Sequence, residues 1–265
     1  MPEGHTIHRL ARDHKALLVG HEVGVASPQG RFATGAELLT GRVVERIEPY
    51  GKHLFYLFEG EQLLHIHLGL YGKFTTGFGE PPEPRGALRL RLTTESTWID
   101  LRGPTACEVY APHDRDAVVA RLGPDPLRTD AEPELAWRRI NRSRTPVGTM
   151  LMDQSVLAGV GNVYRAEVLY RAGLSPFTPG HDVRRPVWDG IWEDLRVLMR
   201  AGVKTGRIVT TDRDDRARRS GRVTREDAHY VYRRARLPCR RCGAEVRTQT
   251  MAARNLFWCP HCQPA

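Results

Sequence analysis

Near the end of the chain, Cys239-Arg240-Arg241-Cys242 and Cys259-Pro260-His261-Cys262 form two C-x-x-C knuckles separated by sixteen residues. No other feature restricts the fold as tightly. Each knuckle supplies two thiolates from a tight turn, and a hairpin of that length can bring the pairs together around one tetrahedral ion. The spacing predicts a zinc β-ribbon with one structural Zn2+ held by Cys239, Cys242, Cys259 and Cys262. A redox dithiol is the competing reading, but two matched knuckles favour a closed site whose metal helps fold a segment too small for its own core. With four protein ligands, such a zinc has no open position for catalysis. The fifth cysteine, Cys107, lies far away and reads as a small buried hydrophobe. This usage suits a reducing compartment and not a disulfide framework.

At 265 residues the chain exceeds one ordinary domain, so two or three units are expected. A hydrophobic content of 40% is ample for burial. The net charge of +9 comes mainly from arginine, whose planar fork binds phosphate oxygens in pairs. Nucleic acid is therefore the leading partner. The positive charge is spread along the chain, and no apolar run approaches the roughly 20 residues of a membrane span. Residues 1–20 lack the apolar core of a signal peptide. A cytoplasmic, nucleoid-associated monomer is expected, with no membrane partner.

Ile7, Leu10, Ala11, Leu17 and Leu18 fit one face of a helix that Gly20 is placed to end. Between 40 and 111 the pattern changes to short runs such as LFYLF (54–58), LLHIHL (63–68) and ALRLRL (87–92). In the last, Leu88, Leu90 and Leu92 share one sheet face and Arg89 and Arg91 the other. With intervening Gly and Pro clusters, including the loop at 77–86, this predicts an antiparallel sandwich or barrel. Residues 123–133 have the composition of a linker, and helices follow. Thr145 and Pro146 read as an N-cap and first-turn proline of a helix running to about Leu157. A second helix begins after GVGN and runs to Gly173, and a third starts at Pro186 with Val187, Ile191, Leu195 and Leu198 on one stripe. Residues 213–227, six arginines and four acids with almost nothing apolar, read as a mobile loop.

Several stretches carry candidate chemistry beside a plainer reading. Gly159 and Gly161 either place backbone N–H groups at a phosphate, with Asn162 adding a side-chain donor, or merely let two helices turn. Leu70 and Tyr71, at a turn after a strand, either wedge into a base stack or belong to the core. Lys52 precedes a strand, where it reaches a phosphate or is simply solvated. Arg254 belongs to the hairpin that the zinc organises, either inserting at DNA or standing as a surface charge. His65 and His67 share a strand face, but without further ligand spacing no metal is assigned to them. Pro2 and Glu3 place a potential secondary amine beside a carboxylate once Met1 is removed.

Pro2-Glu3-Gly4, the D-Q-x-x-x-A-G-V-G-N-x-Y stretch at 153–164, and the four-cysteine ribbon with Arg254 together resemble the formamidopyrimidine-DNA glycosylase/endonuclease VIII family. The resemblance spans essentially the whole chain. It implies an α+β multidomain protein: an antiparallel β-sandwich with an N-terminal helix (1–122), a linker (123–133), a helix-two-turn-helix domain (134–235) and a zinc finger (236–265). Damaged double-stranded DNA would lie between the two halves. The implied catalytic set is Pro2, Glu3, Lys52 and Arg254. Pro2 attacks the sugar C1′ and forms an iminium that drives β- or β,δ-elimination, while Glu3 protonates the ring oxygen. Lys52, Asn162 and Arg254 would grip phosphates, with Leu70 and Tyr71 as the wedge. His5 and Thr6 depart from the proline and glutamate common there. The Leu70-Tyr71 wedge is closer to the endonuclease VIII branch, which implies oxidised pyrimidines; an 8-oxoguanine/formamidopyrimidine preference and a noncatalytic damage-binding protein of the same fold are the alternatives. The 213–227 segment falls where the family's lesion-covering loop would be.

Overall fold

The structure, a computed structural model, describes residues 2–264 apart from the side chain of Pro112. Met1, whose removal the sequence predicts, lies outside the described residues. The chain divides into two compact units, one ending at Arg121 and the other starting at Leu122.

The first unit opens with helix α1 (Gly4–Leu18), strand β1 (Glu22–Ala26) and helix α2 (Ala33–Leu39). Strands β2 (Arg42–Tyr50), β3 (His53–Phe58), β4 (Gln62–His67), β5 (Lys73–Phe78), β6 (Leu88–Thr93), β7 (Thr97–Arg102) and β8 (Ala106–Tyr110) follow, and α3 (Pro112–Ala120) closes the unit. The strands run in the order β5-β7-β6-β1-β2-β3-β4-β8, all antiparallel. Two four-stranded layers, β5-β7-β6-β1 and β2-β3-β4-β8, meet through the short pairing of Glu22 with Val43 and Val23 with Arg42. Leu54, Tyr56, Phe58, Leu64 and Ile66 from one layer and Leu90, Leu92, Ile99 and Leu101 from the other fill the core, with Ile7, Ala11 and Leu18 of α1. This is the expected β-sandwich with an N-terminal helix. Cys107 belongs to the same core, and burial pushes its thiol up to about 12, so it is inert at neutral pH. Arg91 does not face water: it forms a bidentate pair at 2.7 and 3.0 Å with buried Asp100, its register partner on β7. β1, α2 and α3 went unread in the sequence because their runs are short and only partly apolar.

Helix α1 lies against β2 and β3. Val19, just past its end, bridges Val44 near the start of β2, while His14 Nδ1 lies 2.6 Å from the hydroxyl of Tyr56, which pairs with Ile47. The helix therefore runs against β2, and its N-terminal turn heads toward the Gly51–Lys52 end of the sheet. Burial holds His14 down to about 4, with Asp13 opposing weakly, and also lowers His5 and His65 to about 4. Between about 4 and the ordinary 6.5 the unfolded chain binds more protons than the native one. Stability is thus full above pH 6.5 and falls as pH drops through that window. His14 alone is expected to withdraw about 2 kcal/mol between pH 7 and pH 5. Chemical unfolding at several pH values checks this: His14→Gln should lose that part of the acid slope, and an unchanged slope contradicts it.

The second unit contains α4 (Pro133–Ile140), α5 (Val147–Met150), α6 (Asn162–Arg171), α7 (Arg185–Thr205) and the hairpin β9 (Arg247–Met251)–β10 (Arg254–Trp258). Trp188, Ile191 and Leu195 of α7 pack with Tyr164, Val168 and Leu169 of α6 in one core. A second core joins Tyr170, Tyr230 and Val231 to Val246, Phe257, Cys239 and Cys259 of the ribbon. The helix expected from Thr145 to Leu157 is much shorter. Pro146 is its cap residue, and α5 spans only four residues. Beyond it the Asp153 carboxylate accepts the Ser155 N–H at 2.8 Å, diverting the backbone into turns that local helix propensity does not reveal. No helix among the described residues is long and apolar enough to cross a membrane.

Candidate nucleic-acid interface and zinc ribbon

In the first unit, Glu3 is the N-cap residue of α1, and its carbonyl accepts the N–H groups of Thr6 at 2.8 Å and Ile7 at 3.4 Å. Its residue surface is fully buried. The fifteen-residue helix that starts at Gly4 fixes both Pro2 and Glu3 at its N-terminal end. Pro2 itself is half-buried. His5 is buried and, chiefly through burial, held down to about 4, so it is neutral; its Nε2 lies 3.3 Å from the Thr6 hydroxyl. Where the family commonly has a proline and a glutamate, this chain places a neutral polar pair.

Lys52 sits in the two-residue turn between β2 and β3, beside Gly51 at φ +56. The strand that leaves this turn pairs His53 with His67, the last residue of β4. Lys52 and the β4–β5 connection therefore lie at the same end of the sheet. Burial lowers His67, and the Lys52 ammonium lowers it further. His53 falls to about 3 through burial and then the charges of its neighbours. Two neutral imidazoles thus accompany Lys52, a grouping that cross-strand register creates and that single-strand reading missed. His53 Nδ1 meets His65 Nε2 at 2.9 Å.

Leu70 is 42% exposed and Tyr71 86% exposed, so neither belongs to the core. Buried Leu68 anchors their turn, which closes through Gly72 N–H to Leu68 O at 2.9 Å. A Cβ at Gly72 would stand 2.3 Å from that carbonyl oxygen, so no larger residue fits there. The wedge candidates are held out by a tight turn.

In the second unit, Gln154 builds the loop before α6: its Oε1 accepts the Gly159 N–H at 3.0 Å and its Nε2 donates to the carbonyls of Met152 and Val160 at 3.0 Å. Gly159 takes φ +87 there. Asn162, first residue of α6, is buried; one of its amide N–H groups donates to Asn255 O at 2.9 Å, and its Oδ1 accepts from Arg165. Arg165 in turn donates to the carbonyls of Gly148 at 3.3 Å and Met251 at 3.2 Å. The helix start is thereby tied to the hairpin tip, and Asn162 and Arg254 come together. That tip turns through Ala252 and Ala253 at φ +52 and +55, a conformation costing L-residues roughly 1–2 kcal/mol each. Arg254 follows at once, partly exposed, with its Nη1 2.8 Å from Ala253 O.

The sulfurs of Cys239, Cys242, Cys259 and Cys262 all lie within 4.8 Å of one another, with Cys242–Cys259 at 3.4 Å and Cys239–Cys262 at 3.8 Å. Zn–S bonds of about 2.3 Å in a tetrahedron need sulfur separations near ~3.8 Å, so the donor set fits one zinc ion. Among the described residues this is the one His/Cys/Asp/Glu cluster with such geometry. Burial opposes ionisation of Cys239, but the Tyr170 hydroxyl at 3.1 Å and the knuckle's own N–H groups hold it down to about 6. Burial and neighbouring sulfurs push Cys262 up. A dication among the four deprotonates them all. The ribbon is a structural zinc site.

Three family models match in order: the formamidopyrimidine-DNA glycosylase N-terminal domain at residues 1–107, the formamidopyrimidine-DNA glycosylase H2TH domain at 122–214, and the zinc finger found in FPG and IleRS at 236–265. Endonuclease 8 1 of Mycobacterium tuberculosis (strain ATCC 25618 / H37Rv) is 49% identical over 267 residues, covering 99% of this chain and all of that protein. The chain belongs to the formamidopyrimidine-DNA glycosylase/endonuclease VIII family. Endonuclease 8 of Escherichia coli O9:H4 is 31% identical over 273 residues, covering 99% of this chain and 100% of that one. A formamidopyrimidine-DNA glycosylase of Acidothermus cellulolyticus is 33% identical over 285 residues, covering 100% and 96%. The higher identity to Endonuclease 8 1 agrees with the branch suggested by Leu70-Tyr71. The fold matches Lactococcus lactis Fpg (MutM) in a complex with DNA containing N7-benzyl-Fapy-dG, with a TM-score of 0.84 at 21% identity over the full length of both chains.

Proposed function

We propose that this family member is a bifunctional DNA glycosylase/AP lyase of base excision repair that uses Pro2 as its nucleophile and favours oxidised pyrimidines. The observation that carries the reading is the placement of Pro2 and buried Glu3 at the N-terminus of α1. With Met1 removed, the Pro2 nitrogen attacks C1′ of the damaged nucleotide. Glu3 protonates the sugar ring oxygen, the ring opens, and the base departs with the glycosidic electron pair and a proton. The resulting iminium carries a fixed positive charge because it forms from a secondary amine and has no N–H proton to lose. Loss of a C2′ proton then expels the 3′ phosphate; a second elimination releases the 5′ phosphate when the reaction continues.

Lys52, with Asn162 and Arg254, supplies phosphate contacts that set register without reading sequence. Leu70 and Tyr71 fill the gap left when the nucleotide is extruded. Zinc, when bound by the four cysteines, supplies structural stability to the ribbon that carries Arg254. The protein works as a cytoplasmic, nucleoid-associated monomer on damaged double-stranded DNA, with functional domains divided near 122, 133 and 235.

Glu3→Gln tests the assignment of roles. It is expected to slow base excision by roughly 10²- to 10⁴-fold, the usual worth of a positioned acid. Capture of the variant on a preformed abasic site should fall much less, because the amine remains. Duplexes carrying thymine glycol, 5-hydroxyuracil, dihydrouracil, 8-oxoguanine or an abasic site, with 3′ ends resolved, provide both readouts. Unimpaired excision by the variant contradicts the role of Glu3, and faster excision of 8-oxoguanine than of the pyrimidines contradicts the substrate preference.

A further inference from the structure

The two arginines inside the first zinc knuckle hold opposite arms of the 213–227 loop. Arg241 spans its beginning: Nε donates to Asp215 at 3.0 Å, and Nη2 donates to Asp212 at 3.0 Å and to the Tyr230 hydroxyl at 3.1 Å. Its guanidinium lies 4.8 Å over the Tyr230 ring, whose hydroxyl also bonds Asp212 and Asp215 at 2.9 and 2.6 Å. Arg240 spans the other arm: Nη1 donates to Asp227 at 3.2 Å, Nε to His229 O at 3.1 Å, and Nη2 to Glu226 O. The same Asp227 carboxylate accepts the N–H groups of Ala217 and Arg218 at 3.2 and 3.3 Å, reaching into the middle of the loop.

The arms also close on each other. Thr210 N–H donates to Ala228 O at 2.9 Å and the Thr211 hydroxyl to Asp227 O at 2.6 Å. Beyond this stem Arg218, Arg219, Arg222 and Arg225 are exposed. A segment with almost no apolar side chains gains no order from burial. Its arrangement depends on these charge-assisted bonds, which are the strong class of hydrogen bond. A knuckle whose ends are metal ligands gives both arginines a rigid base.

We propose that Arg240 and Arg241 are positioning residues for lesion discrimination: they transmit the rigidity of the zinc ribbon to the loop that contacts the extruded base. This rests on the glycosylase reading above and on that loop covering the lesion. It assigns the ribbon a second role besides presenting Arg254. An abasic site has no base for the loop to contact, so the two substrates respond differently.

Arg241→Ala, Arg240→Ala and the partner variant Asp212→Asn/Asp215→Asn are prepared as full-length, zinc-loaded proteins, with zinc content confirmed. Amide hydrogen exchange in residues 213–227 is expected to accelerate in each variant. The kcat/KM for release of an oxidised pyrimidine should fall roughly 10- to 100-fold, the usual size of a coupling between sites. Cleavage of a preformed abasic duplex should stay within about threefold of the parent. Arg241→Lys, which keeps the charge but not the fork, should recover only part of the loss. Equal losses on lesion and abasic substrates, or unchanged exchange in the loop, overturns the proposal. Failure of the glycosylase reading appears separately, as a parent protein that does not cleave abasic DNA.

Discussion

A chain carrying one additional residue ahead of Pro2 is expected to lose borohydride-dependent capture on abasic DNA by roughly 10³-fold or more, as removal of an essential nucleophile does in other enzymes. The extension turns the Pro2 nitrogen into an amide, whose lone pair is delocalised and cannot attack C1′. It leaves Glu3, Lys52 and the wedge turn in place chemically. Affinity for damaged duplex, measured by fluorescence anisotropy, is expected to fall far less than capture does. The free amine suits nucleophilic attack, because α-amino groups titrate near pH 8 and a useful unprotonated fraction exists at neutral pH. A noncatalytic damage-binding protein would instead bind duplex in a salt-sensitive way and leave abasic sites uncut in every form.

The second large effect concerns the ribbon. Cys259→Ser is expected to abolish stoichiometric zinc and unfold residues from about 236 onward, since apparent zinc-binding energies of about 10–16 kcal/mol are folding energy in such small sites. Cys259 is buried in the core that joins Val246 and Phe257 to Tyr170, Tyr230 and Val231, so the damage reaches α6. Arg254 loses its rigid base, and the Asn162–Asn255 tie goes with it. Duplex affinity should drop by more than about tenfold, with a shallower salt dependence because fewer phosphates are neutralised. The single-turnover rate at saturating abasic DNA should change less than affinity. Elemental analysis, thermal melts and anisotropy across salt concentrations check this; normal affinity after complete metal loss contradicts it.

Legibility in the sequence followed the range of the interactions. The knuckles were readable because metal spacing is local, and the buried face of α1 because helical periodicity is. The exposure of Leu70 and Tyr71 was undecided, since a turn-borne apolar pair and a core pair look alike until the Gly72 closure is seen. The helical pattern after Pro146 outruns the real helix because Asp153 and Gln154 redirect the backbone through side-chain bonds. Glu167 carried no signal at all. Fully buried, it accepts the N–H groups of Tyr230, Val231 and Tyr232 at 2.7–2.9 Å, partners more than sixty positions away. The arginine-rich 213–227 segment read as mobile from composition alone, because the knuckle arginines that pin its arms lie outside it. Long-range polar ties of this kind leave no periodicity to read.

In the proposed mechanism the N-terminal amine performs the chemistry. Mass spectrometric mapping of the borohydride-reduced conjugate between the full-length, zinc-loaded protein and an abasic duplex tests it most directly. The expected result is a deoxyribose adduct on the N-terminal peptide beginning Pro2-Glu3-Gly4, with Met1 absent. An adduct on the Lys52 side chain, or on any other lysine, contradicts it.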